Sequence, residues 1–338
     1  MMDIFRFLLW PLGLLYQGVM ALRNWAFKAG WLPQRHFPLP VIVVGNLNTG
    51  GTGKTPMVEW LLQELKLHPV AVISRGYGRR SKGTMPVPGD GEAATYGDEP
   101  TQIARNFPQA QVWVAERRRE GLTRALEKTP DLQAAILDDA FQHRYVWGHF
   151  RLLLTTWQAP FYSDWPLPMG RLRERRQGAA RAHAVVVTKC PPHLDASQRA
   201  HYQTAIQRYT QAPVFFSQLS YQPPRNVKGQ APTQFLVAAL TGIAHPEPFL
   251  EHLEEHYTVL EHLAYPDHHR FTPADVARLQ EHLYQGIPLV TTQKDYVRLL
   301  PHLPEEQHHM VYIIQVAHTF PSTDHAALLA LLHSHLFE

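Results

Sequence analysis

From Pro40 onward, short and wholly apolar runs alternate with mixed segments. VIVVG (41–45), VAVIS (70–74), QVWVA (111–115), AAILD (134–138), RLLLTT (151–156) and AVVVT (184–188) each read as a strand. Strands that are apolar at every position are buried on both faces. They predict an α/β fold with a mostly parallel sheet and helices on either side. Glycine- and proline-bearing stretches interrupt the rhythm at 76–100 and 157–180, and loops of that length in a compact domain are commonly functional. SYQPPRNVKGQAPT (220–233) breaks the periodicity and marks a domain boundary. A second, smaller α/β section follows, with strands FLVAALTG (235–242), YTVLEHL (257–263), PLVTT (288–292) and VYIIQVA (311–317). Its helices are expected from near Pro246, over 273–285 and over 324–336. The resulting division is an N-terminal segment 1–28, a first α/β domain 29–222 and a second 223–338.

The N-terminal segment has its own pattern. No charge falls between Arg6 and Arg23 (FLLWPLGLLYQGVMAL, 7–22). As a helix this run spans roughly 24 Å, short of the roughly 30 Å hydrocarbon core of a bilayer. Pro11, Gly13 and Gly18 weaken it further as a straight span. Asp3 and the lack of an A-x-A site argue against a cleaved signal peptide. Trp10, Tyr16 and Trp25, with Arg6, Arg23, Lys28 and Arg35, give the flanks an interfacial character. Two readings stay open, a membrane-associated helix and a buried N-terminal helix.

Composition removes several function classes. A single Cys, Cys190, excludes an intrachain disulfide framework and a Cys-based zinc cluster, and no H-E-x-x-H occurs among the 21 His. Lys and Arg number 32 against 29 Asp and Glu, a net charge of +3 too small to point to nucleic acid.

The strongest chemical signal is VIVVGNLNTGGTGKTPMVEWLLQEL, a buried strand, a glycine-rich loop and an amphipathic helix opened by Lys54-Thr55. That is the context of a phosphate-binding P-loop. Around Gly50, Gly51, Thr52 and Gly53 the backbone N–H groups can approach phosphate, Lys54 can bridge the β- and γ-phosphates, and the Thr55 hydroxyl can ligate Mg²⁺. Asn48 stands where the strict pattern has its first glycine, as in the doubled-glycine variant of several ATPases and kinases. AAILDDAFQH (134–143) ends a strand in Asp138 and Asp139, suited to Mg²⁺ beside a P-loop or to closing an Asx turn. Asp98 and Glu99 in YGDEP are either solvated loop charges or the carboxylates of a phosphoryl-transfer site. The basic run MGRLRERR (169–176) is either a solvated helix face or a contact for an anionic substrate or lipid. In SRGYGRR (74–80), Arg75 and Arg79 can meet phosphates and Tyr77 can stack. PDHH (266–269) either forms a carboxylate–imidazole pair or caps the next helix. Neither Thr188-Lys189-Cys190-Pro191 nor Thr292-Gln293-Lys294-Asp295 fits a guanine-reading motif, which leaves ATP as the nucleotide.

GNLNTGGTGKTP (45–56), SRGYGR (74–79), GDEP (97–100), ERR (116–118), DDAFQH (138–143), LPMGRLRE (167–174), PDHH and TTQKDYVRL (291–299) occur in this order along nearly the whole chain. Together they resemble the tetraacyldisaccharide 4′-kinase family of lipid A biosynthesis. The chain departs from that pattern at Ala140, where the family has Gly, and at Arg171, often Pro there. The resemblance implies transfer of the γ-phosphate of ATP, with Mg²⁺, to the 4′-hydroxyl of an acylated glucosamine disaccharide 1-phosphate, making lipid IVA. It also implies work at the cytoplasmic face of the bacterial inner membrane. Carried over by motif, Asp98 looks like the general base and His268 its orienting partner from the second domain, with Lys54 on the phosphates. Asn48, Gly50, Gly51, Thr52, Gly53, Lys54 and Thr55 look like the ATP loop. Thr55, Glu99, Asp138 and Asp139 look like metal-side groups. Arg75, Tyr77, His143, Arg171, Arg173 and Glu174 look like the substrate side. A P-loop ATPase switch with a protein partner and no small acceptor is the alternative, and a soluble sugar or nucleoside kinase a third reading.

Overall fold

The structure, a computed structural model, describes residues 9–337. Residues 1–8, with Arg6 and the start of the uncharged run, lie outside it. Eight strands form the large sheet: β1 (Val41–Asn46), β2 (Val70–Ser74), β3 (Met85–Pro86), β4 (Gln111–Val114), β5 (Ala134–Leu137), β6 (Phe150–Thr156), β7 (Ala184–Thr188) and β8 (Val214–Phe216). Their order is β3-β4-β2-β5-β1-β6-β7-β8, and every pairing is parallel except that of the short β3 with β4. Alternate residues of one strand serve opposite cores. Ile42 and Val44 face one side with Leu152 and Leu154, while Val41 and Val43 face the other with Ala71 and Ile73. This is why the strands read as unbroken apolar runs.

Helix α1 (Trp10–Lys28) precedes the sheet. Helices α2 (Lys54–Leu65), α3 (Ala93–Tyr96), α4 (Asp98–Asn106), α5 (Arg118–Lys128) and α6 (Ala196–Gln207) lie among its strands. GDEP is therefore not a loop. Asp98 and Glu99 stand in the first turn of α4, where the positive end of the helix favours carboxylates. The basic run is not a helix face either: residues 169–175 are irregular and lead into a short 3₁₀ turn at Arg176–Arg181.

Beyond β8 the chain forms β9 (Gln218–Tyr221), β10 (Leu236–Thr241), α7 (Glu247–Glu254), β11 (Thr258–Ala264), α8 (Pro273–Tyr284), β12 (Leu289–Thr292), α9 (Gln293–Leu299), β13 (Val311–Ile314), β14 (Val316–Thr319) and α10 (Ser322–Phe337). Strands β11-β10-β12-β13 make a second, all-parallel sheet. VYIIQVA, expected as one strand, divides at Gln315. Its first half closes the second sheet, and its second half pairs antiparallel with β9 in a two-stranded ribbon. The chain then returns to the large sheet, where Leu328, Leu332 and Leu336 of α10 join the core around Ile42 and Leu152.

Among the described residues no helix is long and apolar enough to cross a membrane. Helix α1 is half-bound. Gly13, Gln17 and Phe27 are buried, while Leu12, Leu15, Val19 and Leu22 form an exposed stripe on the opposite side.

Candidate active site

The site lies at the carboxyl ends of β1, β2 and β5, neighbours in the parallel sheet, where α/β folds of this kind hold ligands. The loop leaving β1 opens at Gly50 and Gly51, where nothing lies within 4 Å of a Cβ that a larger residue would add. Thr52 is buried, and its hydroxyl accepts from Asn46 Nδ2 at 3.0 Å. The Asn48 side chain turns away from the loop's open face: its Nδ2 donates to Asp164 Oδ2 at 2.8 Å. Arg171 pairs with the same carboxylate at 3.1 Å and stays more than half exposed. The loop is thus tied to the arginine segment, and Thr49 N donates to the Arg171 carbonyl.

Strand β5 delivers the paired carboxylates. Asp138 is buried, with one oxygen accepting from Ser74 Oγ at 2.9 Å and the other, Oδ1, without a partner among the described residues. Burial, then the charge of Asp139, pushes the Asp138 carboxyl up to about 6. Asp139 has a left-handed backbone (φ 44°) and receives Lys54 Nζ at 3.7 Å and Arg173 Nη1 at 3.0 Å. Burial raises its pKa, but Lys54 and Arg173 outweigh burial and hold it below the ordinary range. Arg118, from the ERR segment, lies buried beneath the turn and donates to the Asp138 carbonyl at 3.1 Å.

Carboxylate oxygens suit Mg²⁺, and the unpartnered Asp138 Oδ1 is a buried acceptor of the kind a cation or its water would satisfy. Among the described residues no group of three or more His, Cys, Asp and Glu is placed to hold a metal alone. That fits Mg²⁺ shared between one or two carboxylates and nucleotide phosphates.

Asp98 is reached by folding the second sheet over α4. His268 Nδ1 lies 2.9 Å and Arg298 Nε 3.0 Å from the same oxygen, Asp98 Oδ2. Among the described residues Asp98 Oδ1 has no hydrogen-bond partner. Burial raises the Asp98 pKa, but the hydrogen bond and charge of Arg298, then those of His268, hold it below the usual carboxylate range. Arg298 is itself aimed by Asp295 (3.0 Å) and the Gly242 carbonyl (3.1 Å). Glu99 pairs with Lys294 at 3.2 Å, from the same helix α9. PDHH supports both of its readings, one per histidine. His268, at φ 58°, turns to Asp98, while His269 bonds Asp275 in the capping box of α8.

Arg75 and Tyr77 are exposed on a loop that two glycines press against the residue before α4. Gly76 (φ +67°) and Gly97 (φ +95°) touch back to back, and a Cβ on Gly76 would come within 2.5 Å of the Tyr96 carbonyl. His143 is half-buried, with Nε2 unpartnered among the described residues. Burial, then Arg118, drives its pKa down to about 4. Glu174, expected on the substrate side, is held inside the protein. It is buried, and its carboxylate is taken by Arg181 (2.7 Å), Gln142 (3.1 Å) and Asn24 (3.1 Å) of α1. Arg298, Lys294, Ser74 and Arg118 complete the site without having been singled out from the sequence. The motifs containing them were visible, but a charge on a helix reads locally as solvated.

A family model described as tetraacyldisaccharide-1-P 4′-kinase matches residues 5–336. Among curated relatives, the tetraacyldisaccharide 4′-kinase of Cytophaga hutchinsonii is 40% identical over 90% of this chain and 88% of its own. That of Flavobacterium johnsoniae is 39% identical over 88% of each. A crystal structure of LpxK from Aquifex aeolicus in complex with ATP superposes with a TM-score of 0.80 at 29% identity, covering 98% of this chain and 100% of that one.

Proposed function

This chain belongs to the tetraacyldisaccharide-1-P 4′-kinase family, and we propose that it transfers the γ-phosphate of ATP to the 4′-hydroxyl of a tetraacylated glucosamine disaccharide 1-phosphate, giving lipid IVA. The observation that carries this reading is the Asp98–His268 contact at 2.9 Å, made between the start of α4 and the turn after β11, beside a P-loop. An ATPase switch without a small acceptor has no need of such a pair.

Phosphoryl transfer asks chiefly for positioning and charge neutralisation. The P-loop N–H groups and Lys54 hold the phosphates, and Arg173 with Lys54 sets Asp139 at their edge. Asp138 and Thr55 would hold Mg²⁺, with Asp139 and Glu99 nearby, and the ion would supply charge neutralisation for the phosphates. Asp98 Oδ1, the oxygen left free by His268 and Arg298, takes the 4′-hydroxyl proton. The O4′–phosphorus bond forms as the bond to ADP breaks. A carboxylate held below its ordinary pKa suits this step, because a loose transition state sheds the hydroxyl proton late.

The acceptor is a lipid, and the exposed stripe Leu12, Leu15, Val19 and Leu22 gives α1 a face for the membrane surface. The inward side of α1 is bonded to the site's own segments. Tyr16 donates to the Arg173 carbonyl, and Arg23 to that of Gln142. In this reading the helix lies on the cytoplasmic face of the inner membrane and holds Arg75, Tyr77 and Arg171 toward the headgroup.

The test is transfer of label from [γ-³²P]ATP with and without the tetraacyldisaccharide 1-phosphate. The expected result is a labelled lipid and little ATP consumption without acceptor. Full-rate hydrolysis without acceptor and no labelled lipid would return the ATPase reading.

A further inference from the structure

A P-loop works only if its backbone presents N–H groups to phosphate, and in a planar trans peptide the carbonyl of one residue points opposite to the N–H of the next. The carbonyls behind the loop therefore decide where its N–H groups aim. Two successive ones are held by side chains far away in sequence. Thr188 Oγ1, at the end of β7, is 3.0 Å from the Thr52 carbonyl, the nearer of its two acceptors. His318 Nε2, on β14, is 2.9 Å from the Gly53 carbonyl. That carbonyl also accepts the first helical bond of α2, from Met57 N at 3.1 Å, so the imidazole fills its second lone pair.

The ring's other nitrogen defines its tautomer. A carbonyl only accepts, so Nε2 carries the hydrogen, and Nδ1 then accepts from Ser217 Oγ at 2.9 Å. Ser217 is buried and is itself fixed by the Val187 carbonyl. His318 is buried too, and a Cβ on Gly53 would stand 3.0 Å from its Nε2. Burial drives the His318 pKa down to about 4, which keeps the ring neutral.

We propose that His318 and Thr188 are positioning residues for nucleotide binding: by bracing the Gly53 and Thr52 carbonyls from behind, they turn the Lys54 and Gly53 N–H groups toward the phosphates. The ribbon β9–β14 that joins the second sheet to the first is thereby a wall of the nucleotide loop. This inference rests on the reading of residues 50–55 as the ATP loop.

The test uses the full chain with ATP and the lipid acceptor, reading both KM values, direct ATP binding and the melting temperature. For His318→Ala the ATP KM and Kd should rise about tenfold, the loss of the buried hydrogen bond that aims the Gly53 carbonyl, while the acceptor KM moves less than about twofold. His318→Gln, which offers an amide N–H at similar reach, should recover most of that loss. Thr188→Val should raise the ATP KM and Thr188→Ser restore it, and these variants decide the matter if His318→Ala does not fold. A folded His318→Ala with unchanged ATP affinity overturns the brace, as does a rise in both KM values that Gln fails to rescue. Lys54→Ala separates the two levels. If it binds ATP normally, the loop assignment itself fails; if it loses ATP where His318→Ala does not, only the brace fails.

Discussion

His268 and Arg298 converge on one oxygen of Asp98, and the proposed role of this residue as base rests on that asymmetry. His268 and Arg298 hold Oδ2, so the carboxylate cannot rotate, and Oδ1 keeps a fixed direction and an open lone pair. Replacing the carboxylate by Asp98→Asn preserves shape and removes the proton acceptor. Its kcat should fall by about 10²-fold or more with the ATP KM little changed, as should that of His268→Ala. Steady-state kinetics in both substrates checks this, and normal turnover by His268→Ala would remove the pair from the reaction. Asp139 and His268 share a further trait, a left-handed backbone in a non-glycine residue. Such geometry costs about 1–3 kcal/mol and persists where surrounding contacts over-determine it. Here Lys54, Arg173 and Arg118 do so at Asp139, and Asp98 and Arg298 at His268.

At the scale of elements, α1 has two sides in different surroundings. Its inner side is bonded through Tyr16, Arg23 and Asn24 to residues 142–174, while Leu15 and Leu22 are each about two-thirds exposed. Burying one leucine in an apolar phase is worth about 2 kcal/mol, so Leu15→Glu with Leu22→Glu should weaken co-sedimentation with anionic lipid vesicles by at least about tenfold. ATP binding in detergent should be unaffected. Equal sedimentation of variant and parent would show that this face does not meet lipid. Helix α9 makes a complementary point. Thr292 caps its start by accepting from Asp295 N, and one turn later Arg298 swings back onto Asp295 and across to Asp98. A short capped helix thus delivers Lys294 and Arg298 to two adjacent carboxylates of α4.

Across the whole molecule, a buried polar network joins the three helices that carry the site. Glu59 of α2 accepts from Gln102 (3.1 Å) and Asn106 (2.7 Å) of α4, and Gln293 of α9 donates to Asn106. Glu59 is pushed up to about 7 by burial, against which the two amide hydrogen bonds act only partly. The folded protein therefore keeps a proton there that the unfolded chain gives up near 4.5. That stability is present in full below 4.5 and is lost as pH rises through about 7, by an amount on the order of 3 kcal/mol. Glu59→Gln keeps an acceptor for both amides and removes the proton. Urea unfolding from pH 4.5 to 7.5 should show the parent losing stability relative to Glu59→Gln as pH rises. Parallel curves would mean that Glu59 is ionised in the fold.

Strand after strand was legible in the bare chain because burial on both faces of a parallel sheet leaves unbroken apolar runs, and β1, β2, β5, β6 and β7 fall where those runs do. The P-loop and Asp138-Asp139 were legible for a related reason. Each sits at the end of its own strand, and parallel strands bring such ends to one edge. Local pattern failed where the partner is remote. The segment 311–317 divides between two sheets because pairing, not composition, decides which edge a strand joins. That Glu174 is covered by α1 and Arg181 was not readable from its basic neighbours, since the covering groups come from elsewhere in the fold. Arg298 meets Asp98 across 200 residues, and His318 meets Gly53 across 265. A charge or an imidazole has the same local signature whether it faces water or a buried acceptor, so only the docking of the second sheet and its ribbon settles which.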